Sequence, residues 1–456
     1  MSEAQITLDK RSERRAFYKM VFFLALPIVG QNLIDALVTS TDVIILGFVS
    51  QQALSAVSLA AQVQFILFMV LFGLAAGASM LGAQYFGKGD TRTIEKVLGI
   101  SLRFALPIGA LFSLVTMAVP QLVMRLFTPD EALIAQGAIY LRIVGFGYVC
   151  TAFRSVYLSI MRSMQRVKVS MVVHTVSFLL NVGLDIFLIF VLKWDVVGVA
   201  LTTLLARIVE VIICAIHIAW NKPNFRVRLK DIFAKNTVLR KDFLDCSLPS
   251  IGNDIAFGLG FTMYSVIIAH LSSDAVAAYS IIAVARNLGT VLCFGVSAAT
   301  AIIVGNELGA NRFDNARLYA GRFLGLSVYT ALAGGAVILA LSPLLMQLGD
   351  LTDTAREYLQ LMLWINAPYV LGPSINTCLI CGIFRSGGDS RFGLICDALT
   401  YGVFMVPIGL FCAFVLKLPV MWVYFILCLD EFLKMPFILR NYRKGAWVRN
   451  ITRDQI

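Results

Sequence analysis

Long apolar runs, each closed by a short polar break, recur along the whole chain. A bilayer-spanning helix needs about 20 largely apolar residues, within a range of about 17–25. That ruler predicts twelve helices, over 18–48, 55–84, 97–119, 136–160, 168–192, 197–219, 245–270, 276–305, 319–346, 356–382, 391–416 and 419–440. Runs longer than the bilayer fit by tilting or by protruding into water. The longest polar stretch, 220–243, has 24 residues, too few for a folded soluble domain. The pattern predicts an all-α integral membrane protein.

Composition agrees and narrows the class. Hydrophobic residues make up 59% of the chain and charged residues 14%, with a mean hydropathy of +0.82. Soluble domains run near 45–50% apolar and about 25% charged, so soluble, disordered, fibrous and coiled-coil classes are excluded. The net charge of +11 would suit nucleic acid in a soluble protein. Here the cations lie in short loops and tails. With the N-terminus inside, 28 of the 38 Lys and Arg fall in cytoplasmic segments or the helix ends beside them and four on the outer side, Arg125, Lys193, Arg356 and Lys417. The positive-inside rule then places both termini in the cytoplasm of a multi-pass protein of the plasma (inner) membrane, with lipid rather than nucleic acid as partner. The basic stretch from Lys10 to Lys19 has no short apolar region ending in a cleavage site and reads as a retained tail. The nine cysteines lie in or beside apolar runs, so Cys378 and Cys381 read as packing rather than as a metal or redox pair.

The chain repeats itself. Pro27 and Pro249, Ala53 and Ala275, and Gly87 and Gly309 are each 222 residues apart (249 − 27), and Arg162 and Arg385 are 223 apart. Twelve helices therefore form two parallel six-helix halves, since an even number of crossings returns the chain to the same side. The expected organisation is a cytoplasmic tail 1–17, an N-terminal lobe 18–219, a cytoplasmic linker 220–244, a C-terminal lobe 245–440 and a final tail 441–456. This is a transporter's plan, not an enzyme's. Gly82 to Lys88 matches the first seven positions of a phosphate-binding loop, but Gly89 stands where Ser or Thr must hold magnesium. No nucleotide and no cofactor is expected, so ion gradients must drive any active transport. A monomer suffices.

Ionisable groups at bilayer depth are functional candidates by default. The first helix carries Asp35 and Asp42 on one face. The fifth carries His174, Asn181 and Asp185, the last two one turn apart, and Thr202 and Thr203 begin the sixth. Asp42, Asn181, Asp185 and Thr203 form an all-oxygen set suited to a hard cation such as Na⁺. The same set suits a proton, because two neighbouring buried carboxylates do not both ionise cheaply. The plain alternative is that Asp42 and Asp185 sit at wet helix ends or bond a neighbouring helix. Arg207 with Glu210, and Asp430 with Lys434, have helical pairing distances. Arg154, Asp254, Arg286 and Asp397 have no sequence-local partner. Gln31, Asn32, Asp35 and Asp254 are the candidate accessory or substrate contacts.

Over nearly its whole length the chain resembles the multidrug and toxic compound extrusion (MATE) family. The resemblance is carried by Leu26, Pro27, Thr41, Asp42 and Gly47, by Asn181 and Asp185, and by Gly198 through Thr203. Leu248, Pro249, Val304 through Ala310 and Arg385 through Arg391 add to it. It implies antiport: expulsion of organic, often cationic, amphipathic small molecules in exchange for Na⁺ or H⁺. The family's N-lobe cation site maps onto Asp42, Asn181, Asp185 and Thr203. A first-half ion site resembles the DinF-like group; the NorM-type branch also uses an acid early in the second half, near where Asp254 lies. The competing readings are a lipid-linked oligosaccharide flippase, kept open by Arg154, Arg207 and Arg286, and an exporter of one endogenous metabolite. A channel or receptor is the more distant reading.

Overall fold

The computed structural model describes residues 3–220, 225, 227, 229–233, 236–347 and 351–454; within these, the side chains of 3–12, 36, 39, 40, 42–44, 46–49 and 229 lie outside the described set. Among the described residues all regular structure is helical. Helices α1 (Glu3–Val49), α2 (Gln51–Lys88) and α3 (Thr91–Ala118) are long and unbroken, and the short α4 (Pro120–Arg125) follows. The fourth predicted span is a pair, α5 (Glu131–Gly145) and α6 (Tyr148–Ser163), bent by 50°. Helix α7 (Val167–Asp185) runs into a π-helical turn, Ile186–Val191, and α8 (Asp195–Trp220) closes the first half. A five-residue helix, α9 (Leu229–Phe233), lies in the linker.

The second half opens with three long helices, α10 (Thr237–Ala269), α11 (Ser273–Gly309) and α12 (Phe313–Leu345). The tenth predicted span is α13 (Asp353–Tyr369), α14 (Leu371–Thr377) and the π-helical Cys378–Phe384. The eleventh is α15 (Ser390–Asp397), α16 (Val406–Leu410) and two π-helical stretches, Ala398–Met405 and Phe411–Val415. Ten helices among the described residues are long and apolar enough to cross a membrane, or eleven with the bent pair. The twelfth predicted run is α17 (Val420–Leu427) followed by α18 (Asp430–Lys444), each too short alone. Buried Asp430, Glu431 and Lys434 interrupt its apolar character.

The repeat reappears as backbone detail. Ser50 and Ser272, again 222 apart, accept the amides of Ala53 and Ala275 at 3.0 Å each and start α2 and α11. Loops at matching places turn through left-handed residues: Gly89 (φ 82°) and Asn311 (φ 59°), Gln165 (φ 61°) and Gly388 (φ 75°), Lys193 (φ 57°) and Lys417 (φ 50°). Three of these six are Gly or Asn, the residues for which that conformation costs least.

The chain divides into two compact units, one of Met1–Gly30 with Ala256–Asn450, the other of Gln31–Ile255 with Ile451–Ile456. In the first, α1 passes so close to α11 that a Cβ on Gly295 would lie 2.2 Å from Val29 Cγ2. In the second, a Cβ on Gly73 of α2 would lie 2.6 Å from the Cα of Ile251 on α10. These are the same repeat positions (295 − 73 and 251 − 29). Small residues let membrane helices approach closely where lipid gives no hydrophobic drive. Each unit has its own apolar core, one around Leu67, Tyr85 and Tyr157, the other around Ile282, Met362 and Tyr424. Exposed Leu114, Trp422 and Phe437 present apolar surface to lipid.

The segments between and after the long helices are held by polar contacts. The linker's Asp231 takes a forked pair of bonds from Arg92 at 2.7 and 2.8 Å, and its backbone passes over Gly99. After α18, the carbonyl of buried Trp447 crosses Gly387, where a Cβ would lie 1.7 Å from it. Asn450 then bonds Asn311 Oδ1 at 2.7 Å. From Ile451 onward the partners change: its amide donates to Gln84 Oε1 at 2.7 Å, and Arg453 forks onto Asp242 at 2.6 and 2.7 Å.

Candidate functional site

Two hydrogen bonds one turn apart tie α1 to α7. Ser170 Oγ donates to Gln31 Oε1 at 2.8 Å, and His174 Nδ1 lies 2.9 Å from Asp35 Oδ1. Both pairs have the same separation, 139 residues, as two helices running in parallel require. Gln31 also reaches the carbonyl of Val167 at 3.5 Å. Gln31 is buried and Asn32 half-buried, whereas the Asp35 side chain is 58% exposed. Carboxylates within membrane-spanning helices generally face the bundle interior or a water-filled cavity.

Further along α7, Asn181 and Asp185 occupy one face and are buried, Asp185 completely. Asn181 Oδ1 has no hydrogen-bond partner among the described residues, so a buried acceptor is left facing inward. The π-helical turn starts at the residue after Asp185. Such turns redirect a side chain and often mark functional positions. Helix α8 packs against α7 and this turn, with Gly198 close to Leu188 and Ile189. One turn on, buried Thr202 and Thr203 donate to the carbonyls of Gly198 and Val199 at 3.0 Å each, which leaves their oxygen lone pairs as acceptors. Asp42 is part of helix α1, and its side chain lies outside the described residues. The structure therefore brings Asn181, Asp185 and Thr203 onto packed helices, and separately joins Gln31 and Asp35 to α7. Asp254 is half-buried on α10.

A second set of charges surrounds Glu210 on α8. Its two oxygens take Arg207 Nη1 at 3.0 and 3.1 Å, the pairing that the sequence spacing predicted. Glu210 Oε1 also accepts from Arg154 Nη1 of α6 at 3.3 Å, with Arg154 Nε at ion-pair distance, 3.2 Å from Oε2, a partner no helical spacing could show. In the second half, Lys434 departs from expectation. It pairs with Asp397 at 2.8 Å and Glu431 at 2.9 Å, while Asp430 instead accepts from Tyr369 and Tyr264 at 3.2 and 3.4 Å. Asp397 comes from α15, which packs against α18, a partner outside the lysine's own helix, and the tyrosine hydroxyls occupy Asp430. Arg286 donates to Asn366 and Tyr424 at 3.0 Å each and lies over the rings of Tyr369 and Phe261 at 5.1 and 5.5 Å. None of the nine cysteines forms a disulfide among the described residues.

This architecture, with acids and amides buried in paired six-helix halves, defines a membrane transporter fold. The MatE family model matches residues 27–187 and 249–411, one match per half, and the chain belongs to the MatE (MATE) family. The "Probable multidrug resistance protein NorM" of Thermotoga maritima is 25% identical over 64% of this chain and 63% of its own length. The "Uncharacterized transporter YisQ" of Bacillus subtilis is 22% identical over 94% of this chain and 95% of its own. A crystal structure of a MATE protein in its bent conformation superposes with a TM-score of 0.85, covering 94% of this chain and 96% of that one, at 20% identity.

Proposed function

We propose that the protein is a secondary antiporter that exports organic amphipathic compounds in exchange for Na⁺ or H⁺, with its ion site at Asp42, Asn181, Asp185 and Thr203. One observation carries the site. The α1–α7 register of 139 residues, carried two turns beyond Asp35, brings position 42 level with Asn181 (181 − 42), whose buried oxygen has no partner among the described residues. A carboxylate, an amide oxygen, a second carboxylate and a hydroxyl supply the ligands a hard cation takes, and the two acids supply a shared proton site. The multidrug names of relatives favour a range of cargo over a single metabolite. The protein works as a monomer in the plasma membrane with both termini cytoplasmic, and a first-half ion site places it nearer the DinF-like group.

The mechanism is alternating access. The ion enters from outside, occupies or protonates the site and changes the packing of α1 on α7. Cargo and ion must favour different states, because exchange is coupled only by their difference in affinity for the two. The test is efflux of a fluorescent dye from efflux-deficient bacteria with Na⁺ and pH varied independently. Asp42→Asn and Asp185→Asn are each expected to lower gradient-driven efflux by roughly tenfold or more at equal expression. The gradient that matters names the ion. Full efflux in both variants overturns the site.

A further inference from the structure

We propose that the end of α18 holds an anionic phospholipid whose headgroup carries two phosphates, with its acyl chains lying along Leu433 and Phe437. The site is a surface feature of the second half and holds whether or not the protein exports. A groove of about 480 Å³ opens there, lined among the described residues by Pro436, Leu439, Arg440, Arg443 and Lys444. All three cations are exposed. Arg443 and Lys444 stand at i+3 and i+4 from Arg440, so the three are nearest neighbours on one side of the helix. No carboxylate pairs with any of them among the described residues. A nearby acid, Asp389, takes the amide of Asn441 at 3.1 Å instead. Like charges at this spacing repel, and an anion in the groove relieves them.

Closing the helix does not need these cations. The chain leaves α18 through left-handed Gly445, whose amide bonds the carbonyl of Tyr442 at 3.1 Å. Trp447 Nε1 bonds the same carbonyl at 3.2 Å. Trp447 is buried, with its ring stacked on Tyr442, which fixes the helix end and the groove it carries. Position along the helix selects a lipid. Leu433, Phe437, Arg440 and Lys444 follow the i, i+4, i+7, i+11 stripe of one face. Leu433 and Phe437 are 42% and 63% exposed, so the stripe passes from apolar surface into the cationic groove. At 1.5 Å per residue the cations lie about 4 to 11 Å beyond Phe437 along the axis. The polar layer of a bilayer is roughly 5–8 Å deep on each side of the hydrocarbon. A free phosphate leaves the apolar part of the stripe unused, and a neutral lipid leaves the cations unanswered. Two phosphates come nearest to matching three cations, through the forked bonds that guanidinium groups make to phosphate.

The test is native mass spectrometry of the full chain in detergent, titrated with tetraoleoyl cardiolipin, dioleoyl phosphatidylglycerol, dioleoyl phosphatidylcholine and inorganic pyrophosphate. The first cardiolipin should bind at least about threefold more tightly than phosphatidylglycerol, and at least about tenfold more tightly than phosphatidylcholine. Pyrophosphate should not displace it. The triple variant Arg440→Gln/Arg443→Gln/Lys444→Gln should bind cardiolipin at least about tenfold more weakly. Its unfolding temperature in detergent should hold, because the three side chains are exposed and bond nothing among the described residues. Phe437→Ala keeps the charges and should weaken cardiolipin severalfold through the chain contact alone. A control, Arg103→Gln/Lys168→Gln/Lys241→Gln, removes equal charge from exposed positions elsewhere and should bind as wild type does. A triple variant or a Phe437→Ala protein that binds like wild type overturns the proposal. So does a control that loses as much, which makes the attraction a diffuse effect of net charge. Equal binding of phosphatidylglycerol or phosphatidylcholine overturns it too, and displacement by pyrophosphate reduces the groove to a site for free anions.

Discussion

Glu210 shows what a single buried charge does in this protein. Among the described residues it pairs with two arginines from different helices, so its removal takes away the carboxylate that both of them bind. Breaking a buried pair from one side typically costs about 3–5 kcal/mol. Glu210→Gln is expected to lose about that much, seen as a lowered unfolding temperature in detergent, while Glu210→Asp recovers part of it. Lys434 plays the converse role, one cation between Asp397 and Glu431, and Lys434→Met should be comparably damaging. The exposed contact of Lys88 with Asp454 is of another order. The lysine holds that carboxyl below the usual aspartate range. Its contribution is therefore complete above that range and lost as the pH falls through the lowered value, and full exposure keeps it small. Salt should loosen the tail more than any pH change near neutrality, which amide exchange over 451–454, corrected for intrinsic rates, would detect.

Among the elements, the glycine crossings separate two kinds of close approach. At Gly73 a new Cβ meets backbone, the Cα and N of Ile251 at 2.6 and 2.7 Å, which yields only if a helix moves. At Gly295 it meets the end of Val29, which has a rotamer to change. Overpacking of this kind usually costs about 1–3 kcal/mol. Gly73→Ala should fall at or above the top of that range and Gly295→Ala near the bottom, a ranking that fluorescence-detected thermal unfolding of the pair would check. The repeat that relates these glycines was legible in sequence, as were the helices themselves, because length and apolarity are local properties. Which helix lies opposite which was not. Spacing gives a residue's face but not what covers it, so Arg207 with Glu210 could be read and Arg154 with Glu210, His174 with Asp35, or Lys434 with Asp397 could not. The π-helical turn after Asp185 was equally hidden, since nothing in the local residues distinguishes it from ordinary α-helix.

At the scale of the molecule, compact packing does not follow the halves that the repeat defines: residues 1–30 pack with 256–450, and 237–255 with 31–220. Proteins fold largely in the order they are made, at roughly 5–20 residues per second. The first thirty residues therefore reach the membrane on the order of ten seconds or more before the helices that will hold them. Until then the ribosome-bound chain has a long first helix with half its length unpartnered, a natural substrate for insertion chaperones and membrane proteases. Severing the linker near residue 235 would leave two fragments, each lacking a segment that the other carries. Expressed singly, both should be degraded within minutes in a pulse-chase; expressed together, they should protect each other and recover in one complex.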